Sequence, residues 1–148
     1  MADARGAEPL RLKVEDADDI EVVSAALQDA IAKVGDISYE PRARVLTIAL
    51  NRYRWEGADR GRGQRIRSAL QIGSVLAVRA RRIRREPKDA VVQLLTMAFS
   101  PADPPGGQLV LSFAGGADLK VDVECLDAVL ADLSQPWPSP RTPAHDAG

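Results

Sequence analysis

Apolar and polar positions change period along the chain, and the changes mark its elements. Leu10, Leu12 and Val14 alternate with Arg11 and Lys13, the period of a short strand. Asp16 stands where an N-cap belongs, with Asp18 and Asp19 placed to complement a helix dipole. Ile20, Val23, Leu27, Ala30, Ile31 and Val34 then recur at helical spacing, and Gly35 takes the place of a C-terminal capping glycine. The stripe predicts one amphipathic helix over this whole stretch. From Ile37 the period is two. Ile37 and Tyr39, the turn Glu40-Pro41-Arg42-Ala43, and a strand from Val45 through NRYRW (Asn51 to Trp55) read as a β-hairpin.

Further along, GADRGRG (Gly57 to Gly63) is a flexible loop, and Arg65 to Ile72 fits either a strand or a short helix. Ser74 to Ile83 reads as a strand, Arg84 to Asp89 as a charged turn, Ala90 to Phe99 as a buried strand and Ser100 to Gly107 as a loop. The clearest hairpin follows. Leu109, Leu111 and Phe113 alternate, Ala114-Gly115-Gly116-Ala117 turns the chain, and Leu119, Val121 and Val123 return. Cys125, Leu126, Val129, Leu130 and Leu133 predict a closing amphipathic helix. The expected fold is therefore α+β: six or seven meandering antiparallel strands packed with an N-terminal and a C-terminal helix. A pleckstrin-homology-like bent sheet or barrel is the nearest analogue in element order. Residues 1–9 form a leader, 10–134 one domain and 135–148 a proline-rich tail with Trp137 as its candidate anchor.

The length of 148 residues suits one domain able to bury a core without disulfide or metal staples. With aromatics at 4%, aliphatic side chains must fill it. Cys125 is the single cysteine, which excludes an internal disulfide and suits a cytoplasmic setting. No apolar run approaches a membrane span, so no membrane partner is expected.

Net charge is −1, but it is unevenly spread. Arg52 to Lys88 holds twelve Arg/Lys against three Asp/Glu, leaving eight basic and eighteen acidic residues elsewhere. A basic surface built from Arg52, Arg54, Arg60, Arg62, Arg79, Arg81 and Arg82 would grip an anion, because guanidinium forks bind phosphate and carboxylate bidentately. The competing reading pairs these arginines with the acidic remainder as a solvated strand face. Within NRYRW, strand alternation sends Tyr53 and Trp55 to one side and Arg52 and Arg54 to the other. The two arginines continue the face of Leu46, Ile48 and Leu50, so they reach water, a carboxylate or a ligand at the rim of the core.

Familiar catalytic sets are missing. The glycine-rich turns match neither a Walker loop nor a dinucleotide fingerprint, so no cofactor is called for. His145 is the only histidine; it lies beside Asp146 in a tail poorly suited to holding a base in place. Cys125 borders an apolar stripe and reads as an inert thiol. Asp118, Asp122 and Glu124 alternate as a solvated face would, the competing role being a hard-cation site.

Five stretches taken together, LQDAIAKVGDISYEP, LNRYRWE, VLAVRARRI, FAGGADLKVDVECLDAVLADL and the ending Pro143-Ala144-His145-Asp146, resemble a family of small uncharacterised bacterial proteins best known from α-proteobacteria. The resemblance spans about Leu10 to Asp146. It implies a stand-alone cytoplasmic domain without assigned activity, and it brings no catalytic residues. Three functions stay open at this level. The first is a binding or adaptor module for an anionic partner: an acidic protein, nucleic acid or a phosphorylated metabolite. The second is a small enzyme or enzyme subunit using Arg52, Arg54, the GADRGRG loop and His145. The third is a homo-oligomeric structural protein.

Overall fold

A computed structural model describes residues 9–55, 63–135 and 137–138. It contains eleven strands and one α-helix: β1 (Arg11–Val14), α1 (Ala17–Leu27), β2 (Ile31–Lys33), β3 (Ile37–Glu40), β4 (Val45–Trp55), β5 (Gly63–Ile72), β6 (Val75–Arg81), β7 (Val91–Pro101), β8 (Gly107–Phe113), β9 (Asp118–Val123), β10 (Ala128–Asp132) and β11 (Trp137–Pro138). The described chain is thus mostly β, and the α+β expectation is corrected. The strands run β1-β10-β5-β4-β2-β7-β8-β9-β6 in space, with β3 beside β4 and β11 beside β5. Neighbours pair antiparallel throughout, but the path is not a plain meander, because β10 enters between β1 and β5 and β2 between β4 and β7.

The first helix begins as expected and ends early. Asp16 accepts from the Asp19 backbone N–H while the Asp19 carboxylate accepts from that of Asp16, a reciprocal cap. Ile20, Val23 and Leu27 face the core. Beyond Leu27 the chain turns through Asp29 at φ 69°. Asp29 N–H then donates to the Leu94 carbonyl and Leu94 N–H to the Ala30 carbonyl. Ile31 to Lys33 bond to β7, and Ile31 also to β4. Waiting strand edges on both sides outweigh a helical period that continues for only two more turns.

The closing helix does not form. Ala128 to Asp132 is a strand, in register with Val14 to Arg11 on one side and Ile72 to Ser68 on the other. Its side chains alternate, with Ala128 and Leu130 buried and Val129 half-buried. Five residues satisfy both periods, and two open backbone ladders decide between them. Without a C-terminal helix the pleckstrin-homology analogy lapses. Arg65 to Ile72 resolves as part of strand β5, and both sequence-predicted hairpins form.

A continuous aliphatic core joins α1 to the inner faces of the strands, including Leu46, Ile48, Leu70, Ile72, Leu109, Leu111, Val121 and Leu130. The β8–β9 turn carries Gly115 at φ 84° and Gly116 at φ 81°. A Cβ on Gly115 would meet nothing within 4 Å, so a substitution there tests backbone conformation alone. Gly115→Ala is expected to lower stability by about 1–2 kcal/mol in urea titration, the cost of the left-handed conformation.

Candidate functional site

The NRYRW strand resolves the question its sequence poses. Arg52 is buried, with only 8% of its surface exposed. Its Nε donates to Asp132 Oδ1 at 2.9 Å and its Nη2 to Asp132 Oδ2 at 3.0 Å. Asp132 also accepts from Ser68 Oγ at 2.8 Å and from Leu10 N–H at 2.8 Å. Burial by itself would raise the Asp132 pKa. The bonds from Arg52, Leu10 and Ser68, with the Arg52 charge, outweigh it and hold the carboxyl below its ordinary range. One ion pair thus ties β4 and β5 to β10 and the start of β1. The Arg52 fork is already occupied by a carboxylate of the same chain.

Tyr53 packs across β5 over Gly63, where a Cβ would collide with its ring and hydroxyl. The Arg65 guanidinium lies 5.1 Å from the ring centroid. Burial raises the Tyr53 pKa and lowers that of Arg65, each partly offset by the other's charge. Arg54, opposite Gln64, is half-buried and forms no ion pair among the described residues. Arg60, Arg62, His145 and Asp146, with the GADRGRG loop up to Arg62, lie outside the described residues. The tail backbone at Trp137–Pro138 pairs with Arg65 and Gln64.

On β6, Arg79 and Arg81 share one face and reach the carboxylates of β9. Arg79 Nη2 stands 3.7 Å from Asp122 Oδ1. Arg81 donates to Asp118 Oδ2 from Nε at 3.1 Å and Nη2 at 2.8 Å. Asp118 is buried, whereas the Arg81 side chain that covers it is 65% exposed. Asp122 also accepts from Gln108, and Glu124 from Arg44. No group of carboxylates, histidines or cysteines that could hold a metal ion occurs among the described residues. The Cys125 thiol sits 3.7 Å from Ser74 Oγ.

Arg82 behaves differently from its neighbours. The chain leaves β6 there at φ 60°, which ends the strand alternation. Arg82 and Arg84 both line a cleft of about 480 Å³. Its other walls are Ile31 and Val34, Ala90 to Gln93, and the Ala114–Gly115 turn with Ala117. Val91 is 58% exposed on this wall. Arg82 lies against the bare backbone of the turn, since a Cβ on Gly116 would come 3.1 Å from its Nη1. No carboxylate among the described residues pairs with Arg82 or Arg84. The structure therefore combines two guanidinium groups with an apolar wall, an arrangement suited to an anion carrying an apolar body.

Arg84 falls within the basic stretch Arg79 to Lys88 that sequence reasoning marks as a candidate, but only Arg79, Arg81 and Arg82 are singled out there, Arg84 being placed in a charged turn. The signal was the run of arginines continuing past the end of a strand, where side chains leave the strand face. It also could not connect Arg82 to Gly115 and Gly116, residues that only the β6–β9 pairing brings near.

The fold and cleft define a small antiparallel β-protein with an arginine-lined recess at the end of one edge strand. The chain belongs to the family described as protein of unknown function (DUF2948), whose model matches residues 10–145. No curated protein and no solved structure matched. No helix of the described residues is long and apolar enough to cross a membrane.

Proposed function

We propose that this protein is a binding module that holds an anionic group between Arg82 and Arg84. One observation carries the reading. Arg52, Arg79 and Arg81 meet carboxylates of their own chain, whereas Arg82 and Arg84 open together onto an apolar-walled cleft. A charge-assisted hydrogen bond to such a group contributes about 1.5–3 kcal/mol. The site differs from the enzyme reading of the sequence, in which Arg52 lines the site; Arg52 is occupied by Asp132.

Phenyl phosphate, an anionic head on an apolar body, is the probe. It is expected to shift the amide resonances of Val91, Gly115 and Ala117 and to bind more weakly as salt rises. Arg82→Ala combined with Arg84→Ala is expected to reduce its affinity at least about tenfold, the effect of losing one charged hydrogen bond. Arg79→Ala, which removes an exposed pair elsewhere on the strand, leaves it unchanged. Equal binding by the double variant sinks the proposal.

A further inference from the structure

We infer that the free edge of β6 accepts an extended acidic polypeptide segment as an additional strand, whose carboxylates reach the Arg82–Arg84 cleft. This rests on the anion-binding reading and specifies the partner. β6 ends the strand order, and only β9 pairs with it, so its other edge carries no strand among the described residues. Beyond Val75 a row of backbone N–H and C=O groups is left without a strand partner there among the described residues, the template for strand addition. Val75 at its start is buried and donates its N–H to the Arg44 carbonyl, whereas Arg79, Ala80 and Arg81 are exposed, so the open part of this edge is its C-terminal part. The stretch Leu76 to Arg81, at about 3.3 Å per residue, gives an edge roughly 20 Å long, enough for a short linear segment.

Charge selects the occupant. Arginines stand at positions 79, 81, 82, 84 and 85, and the last three have no carboxylate partner among the described residues. A second copy pairing β6 to β6 would set Arg79 and Arg81 against their own counterparts, and like charges across a strand pair are destabilising. An acidic strand has the opposite relation to all five. Arg82, which follows β6 directly, also lines the cleft, so the C-terminal end of the edge and the cleft adjoin at this residue.

The probe is a synthetic eight-residue peptide of alternating threonine and glutamate, added to the full chain. Expected results are binding that weakens with salt and slowed hydrogen exchange at alternate amides between Leu76 and Arg81. Methylating alternate peptide nitrogens on the bonding edge should weaken binding about tenfold or more, because each methyl removes a ladder bond and blocks close approach. Replacing glutamate by lysine should abolish it. If the peptide binds but leaves the β6 amides unprotected, or if both N-methylation registers bind equally, strand addition is wrong while the cleft reading survives. If phenyl phosphate binds and the peptide does not, the inference also falls, and arginine merely guards the edge. Failure of both probes removes both readings.

Discussion

Asp132→Ala is expected to lower folding stability by about 3–5 kcal/mol, the usual cost of stranding a buried charge. The side chains of Arg52 and Asp132 are only 10% and 3% exposed, so removal of the carboxylate leaves a guanidinium with little access to water. Ser68 Oγ and Leu10 N–H lose their acceptor in the same step. Arg52→Ala should cost a similar amount for the mirror reason. The double variant Arg52→Met with Asp132→Leu removes both charges and fills the space with apolar volume. It is expected to recover most of the loss, because an ion pair replaced as a unit is often neutral. Urea denaturation of the four proteins checks this. Equal destabilisation by the double and single variants would show that the pair contributes more than the desolvation it must overcome.

Acid tests the same network. The Asp132 carboxyl is depressed in the folded state and ordinary, about 3.9, in the unfolded chain. Its contribution is therefore fully present above the unfolded value and is lost as pH falls through that value toward the folded one. Stability of the native protein should decline more steeply below about pH 4 than that of the double variant, which has no such group.

Leu130→Ala should cost about 2–5 kcal/mol, and Leu133→Ala no more than about 0.5 kcal/mol. Both leucines fall on the apolar stripe of the helix expected from the sequence. In the structure Leu130 is fully buried on β10, which is paired on both sides, opposite Leu12 on β1 and Leu70 on β5. Leu133 follows the strand and is 61% exposed. Truncating Leu130 opens a cavity among side chains held on both sides by backbone ladders, where collapse is difficult. Comparable losses at the two positions would support the helix and overturn the strand.

Much of the fold is legible locally. The capping pattern at Asp16 and Asp19, the hairpin of β3 and β4, and the hairpin around Gly115 and Gly116 are each specified by neighbours in sequence. The errors fall on short segments. Ala30 to Val34 and Ala128 to Asp132 carry spacings compatible with both periods, and the strands they enter lie far away in sequence. The candidate site divides in the same manner. An excess of arginine from 52 to 88 is visible in composition. Which of those arginines meet carboxylates depends on Asp36, Asp118, Asp122 and Asp132, all outside that segment.

By itself, then, the sequence determined the family, the aliphatic core, the capped start of α1 and both hairpins, because local period and turn chemistry act over a few residues. It also set Arg52 and Tyr53 on opposite faces of their strand. Tertiary structure alone decided that β10 is a strand and that Arg52 is buried against Asp132. It alone set Arg82 and Arg84 beside a glycine turn. The physical reason is common to all three: open backbone ladders and buried charges are satisfied by partners far along the chain, and only folding brings those partners within hydrogen-bonding distance.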